Sequence, residues 1–312
     1  MKLLVNFNVR RESSGGANAF LSSLSFELAT RGFNFTTNIE DKPNIAFLNA
    51  LTNNLRLFDV RKISAHGIPI LHRKTGFCVS GSDEMRCPTN NGPIGDLLQI
   101  GFDSHIKISV FQSTYSKNLF QGNGSCSPAT VIRNGVNTSI FKSTIAREGA
   151  MKKPVKTFVI TSWSTDKSKG FAEYKKIDKI IKNITGVKGI YVGNLPQGFV
   201  FENIKSMPPM DHQALSDLYN RVDFMLALSK HETCSNALIE GLACGLPVIY
   251  SASGANEEIA RSCGIAYSGN FHSDLAILRK RYDDLQFEAS RLNFSIKNVA
   301  DQYEMLFYKF GK

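Results

Sequence analysis

Two glutamates, a lysine and one helix start carry the residue types from which a site for an anionic, hydroxyl-bearing ligand could be built. Glu232 and Glu240 lie eight positions apart within residues 224–260, FMLALSKHETCSNALIEGLACGLPVIYSASGANEEIA. Glu240 is flanked by Leu238, Ile239, Leu242 and Ala243, which are core-type residues, and a carboxylate buried there is expensive without a partner. Around Thr233, Cys234, Ser235 and Asn236 the first N–H groups of a helix have no intrahelical acceptor, and the positive end of the dipole points the same way. That is an anion site by construction. Lys169 stands before Gly170 after an apolar run ending at Ser162, so an ammonium group lies beside flexible backbone, an arrangement suited to a diphosphate. A nucleotide sugar has phosphate for the helix start and hydroxyls for the carboxylates. The plainer alternative is that Ser235 is only an N-cap and that Glu240 sits on the exposed side of an ordinary helix.

These residues need a frame to position them. Residues 224–228 read as a buried parallel strand, a polar loop follows, and a helix over about 235–244 is closed by Gly245 and Pro247 before the next strand at 247–250. The pattern is a βαβ unit. Ahead of it lie a strand at 155–162, a lysine-rich helix at 172–183 whose charges read as a solvated face, a strand at 188–192 and another at 199–203. A kinked loop ending in Pro208 and Pro209 precedes a helix at 211–219; it could equally be a simple rigid turn. The first half repeats the scheme, with strands at 2–9, 44–51, 69–72, 107–112 and 129–133 and helices at 17–30, 53–65 and 114–120. Gly15 and Gly16 fall where the first strand gives way to a helix, a place where an open α/β sheet admits ligands close to its backbone, or else a flexible turn. His72 ends the third of these strands and leads into Arg73, Lys74, Thr75 and Gly76, so this basic group is expected to face the same crevice as Gly15. Residues 78–95, rich in Ser, Gly, Asn and Pro, read as a long loop, 141–154 as a linker, and 273–312 as helical.

The stretch Glu232-Thr-Cys-Ser-Asn-Ala-Leu-Ile-Glu240 has the E-x7-E form. With its continuation Gly-Leu-Ala-Cys-Gly-Leu-Pro-Val-Ile and Ser-Gly-Ala-Asn-Glu-Glu-Ile, it resembles the retaining glycosyltransferases of family 4. The Gly15-Gly16 pair, the Asn134-Gly-Val-Asn segment leading to Phe141, and the Lys169-Gly170 pair are similar to the same family. The resemblance implies a GT-B fold: α/β, two doubly wound Rossmann-like domains facing a cleft, with a C-terminal helix crossing back to the first domain. Residues 1–145 would form the acceptor-side domain, 146–295 the donor-binding domain, and 296–312 the returning helix.

By the family's roles, Lys169 and the helix start at Thr233, Cys234, Ser235 and Asn236 meet donor phosphate, Glu232 holds sugar hydroxyls, and Glu240 takes the ribose. Gly15, Gly16 and Ser162 border the donor, the loop at Pro209 holds the base, and a histidine, here His72, serves catalysis. By another register Thr75 falls at the histidine's place. The family's phosphate-binding arginine is replaced by Ser164, so either Lys167 substitutes or the site has one cation fewer. The implied activity is retaining, metal-independent transfer of mannose or glucose from a nucleoside diphosphate sugar, with GDP-mannose ahead of UDP-glucose as donor and no further cofactor. The acceptor would be a glycan, a glycoprotein or a lipid-linked sugar. Competing readings are an inactive GT-B protein that binds a nucleotide or glycan, a nucleotide-sugar epimerase, and a phosphorylase.

At 312 residues, 42% hydrophobic and 21% charged, the composition is that of a globular protein of two ordinary domains. The start, MKLLVNFNVRRESSGG, is too short in its apolar part for a signal peptide, and no run approaches a membrane span, so a cytoplasmic location is expected. Cys78, Cys87, Cys126, Cys234, Cys244 and Cys263 are scattered without a C-x2-C pair, which indicates neither a zinc site nor a disulfide framework. The net charge of +10 is spread over both halves. That balance permits contact with an anionic membrane surface or an acidic substrate, while the absence of helix-turn-helix, zinc-finger and RNP signatures argues against nucleic acid.

Overall fold

Apolar runs buried on both faces make strands of a parallel sheet, and the chain builds two such sheets. The computed structural model describes residues 1–7, 16–50, 57–77, 92–144 and 155–311, with the backbone alone at 16–17, 57–58 and 92–94. The first unit contains β1 (Lys2–Val5), α1 (Gly16–Thr30), β2 (Asn34–Thr36), β3 (Ile45–Asn49), α2 (Leu57–Ala65), β4 (Ile70–Arg73), α3 (Gly92–Gly101), β5 (Ile108–Phe111), α4 (Thr114–Gly122) and β6 (Ala129–Val131). The second contains β7 (Thr157–Ser162), α5 (Phe171–Ile181), β8 (Lys188–Gly193), β9 (Ile204–Met207), α6 (His212–Tyr219), β10 (Phe224–Ala227), α7 (Asn236–Ala243), β11 (Val248–Tyr250), α8 (Asn256–Ala260), β12 (Gly264–Ala266), α9 (Phe271–Lys280) and α10 (Tyr282–Arg291). The final helix, α11 (Ile296–Phe310), belongs to the first unit.

The first sheet has the order β2-β1-β3-β4-β5-β6 and the second β12-β11-β10-β7-β8-β9, with every pairing parallel. Counted from β7, the second order is that of a dinucleotide-binding sheet, and its direction reverses between β7 and β10. Ligands of open α/β sheets bind outside the carboxyl ends of the strands at such a reversal.

Each unit has its own core. In the first, Phe20, Leu21, Leu24 and Leu28 of α1 pack with Leu3, Phe47 and Leu71 of the sheet and with Val299, Tyr303 and Phe307 of α11. The aromatic contacts Phe47–Tyr303 and Phe33–Phe307, at centroid distances of 5.3 and 5.7 Å, set α11 in this core. Arg31 fastens the helix from outside, donating to Asp301 at 2.6 Å, Glu304 at 2.8 Å and the Lys297 carbonyl at 3.0 Å. In the second unit Phe158, Tyr174, Ile177, Phe224, Leu226, Ile249 and Phe271 form the centre.

Three local expectations are corrected. Residues 199–203 are not a strand: Phe199 and Phe201 pack on each other and on Phe171 and Tyr191, and the strand is β9 just beyond. Residues 92–101 form α3 where a loop reaching 95 is read from the composition. The basic group after β4 is not presented to a crevice. The strand extends through Arg73, and His72, Arg73 and Lys74 are all buried. Buried charges need partners, and both cations have them: Arg73 donates to the amide oxygens of Asn49 at 2.6 Å and Asn134 at 2.7 Å, while Lys74 forms an ion pair with Asp103 and donates to Ser125 at 2.7 Å. His72 lies between Leu48 of β3 and Ser109 of β5, with its side chain buried. Burial, then the nearby Lys74 charge, lowers its pKa to about 3.

Candidate active site

The strand ends at the reversal point of the second sheet carry the charged residues. β7 and β10 are adjacent and parallel, so the loop after β7, which holds Lys169, and the loop after β10, which holds Glu232, emerge side by side. Lys169 Nζ donates to Glu232 Oε1 at 2.5 Å, and both side chains are largely buried.

The two loops are fixed to each other by backbone. The Lys230 N–H donates to the Ser168 carbonyl at 2.7 Å, and the Asp166 side chain accepts from the Ser168 N–H at 2.8 Å, closing the short turn that ends at Lys169. Gly170 follows with φ of +86°, and a Cβ there would lie 2.6 Å from the Leu228 carbonyl oxygen. Only glycine combines that conformation with so close an approach. Gly254 supports the second loop in the same way: its φ is +69°, and a Cβ would meet the Glu232 backbone N and O at 2.5 Å. The Ala255 N–H donates to the Glu232 carbonyl at 2.7 Å, and the Ser253 hydroxyl accepts from the His231 N–H at 3.0 Å. His231 itself is held in the left-handed region at φ +55°, a conformation that costs roughly 1–2 kcal/mol for a residue with a side chain. These turns are absent from the sequence reading; a glycine immediately after Lys169 and another in Ser253-Gly254-Ala255 are the signal that marks them.

Glu232 leads directly into α7. Ser235 is the N-cap, its hydroxyl accepting from the Leu238 N–H at 3.3 Å; Thr233, Cys234, Ser235 and Asn236 are half-buried. The helix start therefore turns its positive end toward the loop that holds the Lys169–Glu232 pair. One turn further in, Glu240 is 9% exposed, and among the described residues its carboxylate has no hydrogen bond or ion pair. Burial raises its pKa to about 7. It is not the exposed glutamate of an ordinary surface helix.

The remaining candidates are placed as follows. Ser162 ends β7 and turns its hydroxyl onto the Ser164 carbonyl at 2.7 Å. Ser164, at the arginine position of the resemblance, accepts the Asp166 N–H on its hydroxyl at 3.2 Å. Lys167 is exposed. Pro209 is exposed in the segment between β9 and α6. Gly16 opens α1, and Gly15 lies outside the described residues, as does most of the 141–154 linker. His72 is in the first unit's sheet, as described above. Among the described residues no group of three or more His, Cys, Asp or Glu side chains is placed to hold a metal ion, and no helix is long and apolar enough to cross a membrane.

The fold is that of the GT-B glycosyltransferases, two Rossmann-like units in one chain. Residues 175–276, which include Glu232 and Glu240, match the family model described as Glycosyl transferases group 1. Fold and family match together support a glycosyltransferase. Among solved structures, the chain is similar to sucrose-phosphate synthase from Thermosynechococcus elongatus, with a TM-score of 0.70, 15% identity, and coverage of 99% of this chain and 98% of that one. It is also similar to the pneumococcal O-GlcNAc transferase GtfA in complex with UDP and GlcNAc, with a TM-score of 0.66, 12% identity, and coverage of 92% and 59%. A trehalose-6-phosphate structure from E. coli bound with UDP-2-fluoro glucose matches with a TM-score of 0.61, 10% identity, and coverage of 96% and 80%. No curated protein sequence matches the chain.

Proposed function

We propose that this protein is a retaining glycosyltransferase that moves a hexose from a nucleoside diphosphate sugar to an acceptor hydroxyl, the leaving diphosphate being met by Lys169 and the start of α7. The observation that carries this reading is Glu240, a buried carboxylate without a side-chain partner among the described residues. Two ribose hydroxyls donating to it would supply its hydrogen bonds and favour its ionised form. The diphosphate of the same nucleotide then reaches toward the N-terminus of α7, where the helix dipole and Lys169 favour negative charge.

The costly event is breaking the bond between the anomeric carbon and the diphosphate oxygen. Charge grows on that oxygen while the sugar ring becomes oxocarbenium-like, and fixed positive ends placed there beforehand lower the barrier. Glu232, already oriented by Lys169 and by the Gly254 turn, takes sugar hydroxyls and sets the anomeric carbon. The acceptor oxygen bonds to that carbon on the face the diphosphate leaves, and its proton passes to the departing phosphate oxygen. Configuration is thereby retained without a covalent sugar–enzyme intermediate. Buried His72 takes no part in this scheme.

GDP-mannose and UDP-glucose are the two donors to try, and the UDP named with two of the structural neighbours favours beginning with UDP-glucose. The acceptor belongs to the class of glycans, glycoproteins or lipid-linked sugars. A second reading, a protein that binds a sugar nucleotide without turning it over, is favoured by Ser164, which puts a hydroxyl engaged with the Asp166 amide where a phosphate-binding arginine would stand. One experiment separates them. With donor and water alone, slow hydrolysis followed by proton NMR is expected to release the hexose first as the α anomer. Release of the β anomer contradicts retention, and no release over days despite donor binding supports the inactive binder.

A further inference from the structure

Trp163 is the single tryptophan of the chain and the first residue after β7. It is 48% exposed. Solitary exposed apolar residues are ordinary; the place of this one is not. It stands at the carboxyl end of the strand where the second sheet reverses direction, at the head of the loop that runs to Lys169. Its backbone is fixed on both sides: the Asn194 side-chain amide donates to the Trp163 carbonyl at 2.7 Å, and Ser162 donates to the next carbonyl, that of Ser164, at 2.7 Å. A wide, half-exposed indole is thereby carried on a fixed backbone position.

We propose that Trp163 is the stacking wall for the hexose of the donor and a determinant of which sugar is accepted. The inference rests on the nucleotide-sugar reading given above. An indole face carries the negative side of its quadrupole, and it attracts the weakly positive C–H face of a pyranose while excluding water from it. Sheet geometry selects the hexose over the base. β7 is next to β10, whose loop carries Glu232, so Trp163 and Glu232 emerge from strands about 5 Å apart, while Glu240, which takes the ribose in the reading above, lies further along the chain inside α7. The sugar end of the donor is thus nearer to Trp163 than the base end.

The test uses the full chain and its only tryptophan as reporter. UDP-glucose, GDP-mannose, UDP and GDP are each titrated by calorimetry and by tryptophan fluorescence. A sugar nucleotide that binds by calorimetry is expected to change the Trp163 emission with the same Kd, while its free nucleoside diphosphate binds without that change. Trp163→Ala is expected to weaken the sugar nucleotide about 3- to 10-fold, the range of an aromatic contact, to leave the free diphosphate unaffected, and to be largely restored by Trp163→Phe. Equal fluorescence changes with the free diphosphate would assign Trp163 to the base and overturn the proposal. Calorimetric binding with no change in emission and none in Trp163→Ala affinity would remove Trp163 from the site while leaving the donor site standing. Absence of calorimetric binding for all four ligands would overturn both readings together.

Discussion

Lys169 Nζ and Glu232 Oε1 lie 2.5 Å apart, a charge pair formed between two neighbouring strand-end loops. On the proposed mechanism the donor inserts itself here, drawing Lys169 to phosphate and Glu232 to sugar hydroxyls. Lys169→Ala is therefore expected to lower turnover by about 10²-fold or more, as for loss of a preorganised charge-stabilising donor. It also takes the Lys169 ion-pair partner away from the buried Glu232 carboxylate, at about 1–3 kcal/mol of stability. Adding Glu232→Gln to Lys169→Ala should recover the melting temperature and none of the turnover. Steady-state kinetics beside thermal melts of the two variants check both halves.

Glu240 makes stability depend on pH with a definite sign. Burial raises its pKa from the ordinary 4.5 to about 7. Below 4.5 the group is protonated whether the chain is folded or not. Between 4.5 and 7 the unfolded chain ionises while the folded one does not, so stability is lost as pH rises across that window, by on the order of 3 kcal/mol. Glu240→Gln should match the wild type near pH 4 and melt higher than it at pH 8. Saturating donor should abolish most of the difference by stabilising the ionised wild type. Melting curves across pH, with and without ligand, measure this.

His72 acts in the opposite sense. Burial and Lys74 lower its pKa to about 3, so the unfolded chain takes up a proton below about 6.5 that the folded chain refuses until about 3. The stability this neutral histidine contributes is fully present above pH 6.5 and is lost as pH falls through that range. Replacing it with leucine should flatten the acid limb of the stability curve, seen as a smaller drop in denaturant midpoint between pH 7 and pH 5.

Gly254→Ala tests the support behind Glu232. The substitution meets a φ of +69° and backbone atoms of Glu232 at 2.5 Å, so the loop must shift. We expect a loss of roughly 1–3 kcal/mol in stability and a fall in turnover larger than the loss in donor affinity. The ratio of kcat to Kd effects distinguishes misplacement of Glu232 from plain destabilisation.

How much of this was legible depended on where local pattern and tertiary context agreed. The β10–α7–β11 unit was readable because its apolar runs, its Ser235 cap and its Gly245 stop all point the same way. Phe199 and Phe201 misled because an apolar run next to a strand can serve an aromatic cluster instead of the sheet, while β9, with Lys205 and Ser206 exposed, lacks a fully buried strand's pattern. α3 was hidden by glycines and a proline in its first turn. His72, Arg73 and Lys74 look like a surface cluster in sequence; their partners Asn49, Asp103, Ser125 and Asn134 lie 24 to 61 positions away from the residues they hold, and no local signal announces them. The identities of Lys169, Glu232 and Glu240 were legible, but the 2.5 Å pairing of the first two across 63 positions was not.

The most direct test is calorimetric titration of the purified protein with UDP-glucose and GDP-mannose, repeated on Glu240→Ala. Micromolar binding of one donor by the wild type, weakened at least tenfold in the variant, is expected if Glu240 holds the ribose. Equal affinity in the two proteins, or no binding of either donor, would contradict the donor site described for the β7–β10 reversal and α7.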